Sequence, residues 1–384
     1  MKRILAVAFG LASLLVAVQS HAVGTTLRVD SGASVVARGL PPPPALPVTS
    51  EAYQTWARVV RTARVPLDAD FVPIPQATPN RVWQADWAGP VLFAPDAKSM
   101  KIPARRFSQV EGEWTVPFAK PTINCTNKWE SYDGSSIWIA LDGWLGTFWA
   151  HERLPDGSWH RYRSTDILQA GSESDVGCYS GGGPGNYPTT AYFWIEWAGT
   201  KDIMVIRGHR ILPVKPGDTI YVKIAADTTG PEAWQRATLW FVDETTGYYL
   251  PARTFHSGCV DCGTRWQRPA TLFGNTAEWI VESTFYYSPR KNAPPNSLND
   301  FGDVELTDAV ATDQDGTVYE PGNPGLAKPN LDWMTWNAKP LDDHGTLLAC
   351  SSIVGSTSVT FQRAPFVIAT PGDQGKLEPK PKHC

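Results

Sequence analysis

Short alternating runs separated by Gly/Pro turns dominate this chain. In Ala277-Glu278-Trp279-Ile280-Val281-Glu282, carboxylates and aliphatics trade places with aromatic or aliphatic residues, the period-2 pattern of a β-strand. Side chains two apart share a strand face, so Glu278, Ile280 and Glu282 point one way and Ala277, Trp279 and Val281 the other. Ser136 to Gly143 alternates in the same way and puts Trp138, Ala140 and Asp142 on one face. Further strands are predicted at Ile167 to Gly171, Ala191 to Gly199, Tyr221 to Ala225, Leu239 to Tyr249 with a hairpin tip at Thr245-Thr246-Gly247, Phe301 to Asp308, and a hairpin at Val354 to Val359. Beyond the N-terminal region no long stretch carries a helical period. The pattern predicts an all-β, two-sheet antiparallel β-sandwich.

Length and composition narrow this only a little. A chain of 384 residues suits one large domain with appendages, or two domains. With 42% hydrophobic and 19% charged residues it is an ordinary globular composition. The net charge of -4 comes without a Lys/Arg block, which argues against a nucleic-acid partner. The 17 Trp, 33 Pro and 32 Gly fit short strands between tight turns.

The N-terminus differs in texture. Residues 1–22 read as a secretory signal: Lys2 and Arg3, an apolar core from Ile4 to Val18, then Ser20-His21-Ala22 as a cleavage site. The apolar run is shorter than the ~20 residues a membrane span needs. The mature chain is therefore expected in the periplasm or the medium, off the membrane, as a monomer. Residues 23–81 form an N-terminal extension with polyproline at Pro41-Pro42-Pro43-Pro44. Within it Glu51 to Arg64 predicts a short helix, with Arg58, Arg61 and Arg64 on one face. Residues 82–365 hold the sandwich, and 366–384 a polar, Lys/Pro-rich tail.

A carboxylate facing a cleft is costly unless paired or used, although many strands simply have one wet face. Gln169, in Ile167-Leu168-Gln169-Ala170-Gly171, offers an uncharged donor and acceptor among apolar neighbours. These two segments together resemble the glutamic peptidases, or eqolisins, in which the Gln of an L-Q-x-G context and the last Glu of an A-E-[FW]-I-[IV]-E strand form the catalytic pair. Asp86-Trp87-Ala88-Gly89-Pro90-Val91-Leu92 resembles the family's opening, Ser136 to Gly143 its W-[VI]-G-[IL]-D-G strand, and Ala191 to Gly199 its W-Y-E-W strand. The likeness runs from about Asp86 to Arg363 and implies a sandwich of the concanavalin-A or lectin/glucanase type. It implies Glu282 and Gln169 as the catalytic pair. Trp138 and Trp87 would line the substrate cleft, Asp142 would sit in the polar network near the pair, and Glu196 would support it. The implied activity is pepstatin-insensitive acid endopeptidase, acting on polypeptides with a Glu/Gln-activated water and no metal or cofactor. By the same resemblance residues 23–81 are a propeptide, whose basic segment is expected to cover the cleft and leave in acid.

Other chemistries find less support. Cys259-Val260-Asp261-Cys262 lacks a second pair of ligands for zinc, and reads as a small disulfide loop. Six cysteines allow fifteen pairings. No G-x-S-x-G, D-T-G or D-S-G motif is present. His151, His160, His209, His256 and His344 are scattered singles. Ser180 to Gly185 is a glycine-rich loop without the flanks of a phosphate loop. Arg105-Arg106, in the loop Pro95 to Arg106, reads as an exposed loop or a processing site. The rivals to a peptidase are a glycan-binding or glycoside-hydrolysing sandwich and a non-catalytic peptide-binding relative. Glu278 and Glu282 lie ~13 Å apart along a strand, too far for a glycosidase pair at ~5 to 9.5 Å.

Overall fold

The protein was analysed as a computed structural model, which describes residues 32–67, 72–74, 86–120, 132–154, 156–164, 166–177, 189–197, 203–205, 214–283, 298–332, 334–336 and 346–363. The proposed signal, the glycine-rich loop at 180–185 and the C-terminal tail lie outside these residues.

Two helices come first, α1 (Gly32–Ala37) and α2 (Glu51–Thr62). Then follow β1 (Val65–Pro66), β2 (Val72–Ile74), β3 (Asp86–Phe93), β4 (Phe107–Thr115), β5 (Tyr132–Leu141), β6 (Phe148–Arg153), β7 (Trp159–Ser164), β8 (Leu168–Gly177), β9 (Thr189–Trp197) and β10 (Ile203–Val205). The second half supplies β11 (Thr219–Ala226), β12 (Arg236–Asp243), β13 (Tyr248–His256), β14 (Cys259–Val260), β15 (Arg268–Pro269), β16 (Thr276–Ser283), β17 (Asp303–Asp313), β18 (Val318–Tyr319), β19 (Lys328–Asp332), β20 (Met334–Trp336), β21 (Thr346–Val354) and β22 (Ser358–Arg363).

The strands form two large sheets, as the alternation predicts. One has ten strands in the order β1-β13-β12-β11-β4-β17-β22-β21-β20, with β18 beside β17; the other has eight, in the order β19-β3-β16-β5-β8-β9-β10-β2. Their facing sides make one core. From the eight-stranded sheet come Ile137, Ile139, Phe193, Ile195 and Trp279; from the ten-stranded sheet come Trp114, Val222, Leu239, Phe241 and Leu306. Phe193 meets Phe241 with ring centroids 4.7 Å apart. The Trp279 Nε1–H crosses the gap to the Glu111 carbonyl at 2.8 Å, and the Trp114 Nε1–H reaches Ser172 Oγ at 2.9 Å. These buried polar tips are thus paired. Gly112 makes room for this packing: a Cβ there would stand 3.0 Å from Leu306 and 3.4 Å from Trp279.

The N-terminal extension is folded onto the sandwich, but not where expected. Ser50 caps α2 by accepting the Tyr53 N–H at 3.2 Å, an interaction typically worth ~1 kcal/mol. The helix then lays Trp56, Val59 and Val60 on Tyr221, Val242 and Tyr249, which belong to the outer face of the ten-stranded sheet. Arg58 forms ion pairs with Glu113 at 2.6 Å, with Asp308 at 3.3 Å, and with Glu244. The basic helix therefore neutralises carboxylates, yet they are on the opposite side of the sandwich from Glu282 and Gln169. The expectation that it covers the cleft is corrected accordingly. Arg106 is likewise not a bare processing site. Its guanidinium stacks 3.3 Å from the Trp234 ring and donates to the carbonyls of Phe273 and Leu272.

Candidate active site

The outer face of the eight-stranded sheet is built from β16, β5, β8 and β9. Their register fixes three rows of side chains. Glu282, Ser136, Glu173 and Tyr192 form the first; Ile280, Trp138, Gly171 and Trp194 the second; Glu278, Ala140, Gln169 and Glu196 the third. All lie on the face opposite the core, because their strand neighbours supply the core residues. Gly171 is needed in the middle row. A Cβ there would come within 2.2 Å of the Ile137 carbonyl and 2.5 Å of Trp138 Cβ.

Gln169 and Glu282 thus emerge on one face, two strands and two rows apart. Gln169 is 7% exposed. Its Nε2 donates to Glu196 Oε2 at 2.8 Å, and its Oε1 is buried without a hydrogen-bond partner. Because a carboxylate accepts the Nε2 bond, the amide's orientation is fixed. Glu282 is half-buried, and its Oε2 accepts the Trp138 Nε1–H at 2.8 Å. No direct bond joins Gln169 to Glu282; the Trp138 indole stands in the row between them. Trp87 packs edge-on against Trp138 with centroids 5.0 Å apart, and lies 6.4 Å from Trp144. Trp138, Ala140, Val91, Ile167, Trp194 and Ile280 form a second, smaller apolar cluster on this face.

The two glutamates of β16 have different surroundings. Glu278 is fully buried, and its Oε1 accepts both the Trp144 backbone N–H at 2.9 Å and the Thr276 hydroxyl at 2.8 Å. It holds the turn after β5. Glu282, on the same face, opens to the cleft. Asp142 departs from the alternation. It follows the end of β5 with a φ of 60° and turns its carboxylate to the backbone N–H groups of Phe273, Gly274 and Asn275, at 2.6, 2.9 and 2.6 Å. Rather than sharing a face with Trp138, it moors the loop that leads into β16. Burial pushes its carboxyl above the usual range, against the lowering effect of those N–H groups.

Three further residues belong to this face. Trp194 donates Nε1–H to Ser136 Oγ at 2.8 Å. Glu173, 3% exposed, sits in the row of Glu282. Asp175, two residues on, is pushed up to about 6 by burial despite a bond to Glu173. Glu196 is also pushed up to about 6 by burial, with the Gln169 amide acting in the other direction. The alternation Leu168–Gly177 carried the signal for Glu173, but its partners on β5 and β16 depend on register. None of these four strands contains Lys, Arg or His, so their carboxylates meet only neutral donors from them. Among the described residues no cluster of three or more His, Cys, Asp or Glu could hold a metal ion.

A model of the Peptidase A4 family matches residues 85–363, well over half of the chain. The chain belongs to the Peptidase A4 family. These are the eqolisins, or glutamic peptidases, and the chain is thereby assigned to the glutamic-type endopeptidases. A solved structure of SCP-B, described as a member of the eqolisin family in a complex with the tripeptide Ala-Ile-His, is 16% identical to the chain. That alignment covers 73% of this chain and 99% of the other, at a TM-score of 0.42. No curated protein matches the chain. For this eqolisin, the family match begins at the strand carrying Trp87 and ends with β22, so the N-terminal helices lie outside it.

Proposed function

We propose that the protein is a secreted acid endopeptidase in which Glu282 activates the attacking water and Gln169, two strands and two rows away on the same face, donates to the peptide carbonyl oxygen. The observation that carries this reading is Gln169 itself: a nine-tenths buried amide, tethered by one N–H to Glu196, with a carbonyl oxygen that no protein group satisfies. The second N–H of this amide is left to donate to the tetrahedral oxyanion, while the attacking water sits at Glu282. Glu282 takes the water proton and later returns it to the leaving amine. Exposure supports Glu282 over Glu278, because Glu278 is fully buried and already binds a backbone N–H and a hydroxyl. The Trp138 N–H orients the Glu282 carboxylate, and the partly exposed Trp87, packed on the buried Trp138, offers an apolar surface to an extended peptide.

Secretion rests on the leader-like residues 1–22. The extension is best read as a propeptide that acts on the fold, not as a plug, since α2 lies on the sheet opposite the cleft. Incubating the purified chain with a denatured protein from pH 2 to 7 and analysing the fragments tests the activity. Cleavage in acid that survives pepstatin, serine-directed reagents and chelators is the expected result. Full inhibition by a chelator, or no cleavage at any pH, would overturn it.

A further inference from the structure

The chain leaves the cleft strand β5 at Leu141 and returns at Ile167. Between them it builds an isolated two-stranded hairpin from β6 and β7. The hairpin hangs at the end of the cleft where Trp144 donates to Glu278. One side of it is seated in the core through Phe148 and Ala150. The other carries Trp149, Trp159, Arg161 and Arg163. Trp149 and Trp159 are 38% and 45% exposed, unusual for tryptophan. The Arg161 guanidinium lies 4.3 Å from the Trp149 ring and that of Arg163 lies 5.7 Å away. Stacking of this kind holds the guanidinium plane while leaving N–H edges to grip a carboxylate.

The backbone adds a second feature. The His151 N–H points out of the hairpin to Asp261 Oδ1 at 2.6 Å, so His151 and its cross-strand partner Arg161 form a pair not hydrogen-bonded to each other. By alternation Trp159, Arg161 and Arg163 all aim N–H and C=O away from β6, along an edge that no other described strand covers. Among the described side chains, Asp156 accepts from Ser158 and Asp261 from His151. On a chain of net charge -4, this is a basic, aromatic edge with unmet backbone groups.

We propose that the outer edge of β7 docks an acidic, extended segment of a polypeptide substrate as a third strand, with carboxylates two residues apart set against Arg161 and Arg163. An added strand satisfies the backbone groups, and alternate side chains supply selectivity. The spacing of Arg161 and Arg163, ~6.8 Å along a strand, equals that of every second residue in an extended peptide. The term substrate rests on the peptidase reading; the docking does not.

Binding is therefore measured apart from turnover. A labelled ten-residue peptide alternating Asp with Thr or Val is titrated into the full chain carrying Glu282→Gln, at pH 6 and two salt concentrations, by fluorescence anisotropy. Binding should weaken at least tenfold with R161E/R163E, with an Asn-for-Asp peptide, and with a peptide N-methylated at alternate amides. The last comparison leaves the protein unaltered and so tests strand addition without a folding concern. With Glu282 intact, R161E/R163E should still cleave a short neutral peptide within twofold of the parent rate. Unchanged binding by R161E/R163E, equal binding of the Asn peptide, or binding of a sulfated polysaccharide but not of the acidic peptide would overturn the proposal. Docking without any cleavage would instead sink the peptidase reading and leave the docking edge standing.

Discussion

The two outer faces of the sandwich are both rich in carboxylates, and they treat them in opposite ways. On the ten-stranded sheet Glu113, Glu244 and Asp308 converge on Arg58, while Glu111 accepts from Lys223 at 3.2 Å and from Tyr221. Helix α2 then roofs the cluster. On the eight-stranded sheet Glu282, Glu196 and Glu278 receive an indole N–H, an amide N–H and a backbone N–H. A cation draws its carboxylates together by charge, although burial outweighs it at Glu244 and Asp308 and pushes both upward. A neutral donor orients a carboxylate and leaves it able to take up and release a proton. The first face is therefore a clamp, and the second has the makings of an acid–base site.

The largest effect that would break this contrast is at Glu282. Glu282→Gln keeps the shape and the Trp138 contact but removes the base, so turnover should fall ~10³-fold or more, with an unchanged melting temperature. Proteolysis at the parent rate would disprove the assignment. Glu278→Gln gives the sharper control, since its expected cost is stability, through the Trp144 turn. Next comes Gln169→Ala, which should reduce kcat by ~10²- to 10³-fold. Single-turnover kinetics should place the loss in the chemical step and not in peptide binding.

On the covered face the expected effects are smaller and spare activity. Arg58→Met leaves three carboxylates without their cation. Because the Arg58 side chain is 40% exposed, the cost should be about 1 to 2 kcal/mol at pH 8. It should shrink in acid. Burial, reinforced by Glu113, pushes Glu244 up to about 8, and burial pushes Asp308 up to about 6. Protonation thus relieves the crowding as pH falls. Urea titrations of both proteins at pH 8 and pH 5 would show this; an equal loss at both pH values would contradict it.

The smallest effect is global. Asp175, Glu196, Glu244 and Asp308 all hold their protons to a higher pH in the fold than in the unfolded chain. Such groups favour the fold fully below their unfolded values, and that gain is lost as pH rises through about 6 to 8. Melting temperature should therefore climb by a few degrees between pH 8 and pH 5. By the same sign α2 should remain docked in acid, where the sequence alone suggested release. Limited proteolysis at pH 4.5 that cuts at α2 first would contradict this.

Much of the fold was legible because period-2 alternation is local. The strands carrying Trp138, Glu196 and Glu282 were found within a few residues of their bounds, whereas the one carrying Gln169 runs six residues past its predicted end. What alternation cannot convey is register. That Glu173 shares a row with Glu282, while Gln169 falls beside Ala140 and Glu278, depends on the pairing of strands far apart in the chain. Asp142 was misplaced for a similar reason: one residue past the strand end, a φ of 60° outweighs the alternation. The docking side of α2 was illegible because Glu113, Glu244 and Asp308 are scattered over nearly two hundred residues. Its helical period showed which residues share a face, not which sheet would receive them.

One covalent detail bears on how the β6–β7 hairpin is held. Cys259 and Cys262 are joined, and between them Asp261, at a φ of 55°, grips both the backbone N–H and the ring of His151 on β6. The orientation of the β6–β7 hairpin is thus set by a ring that only an oxidant can close. No cysteine lies in the three cleft rows, so opening this one ring should loosen the aim of the Arg–Trp edge without touching the strand register.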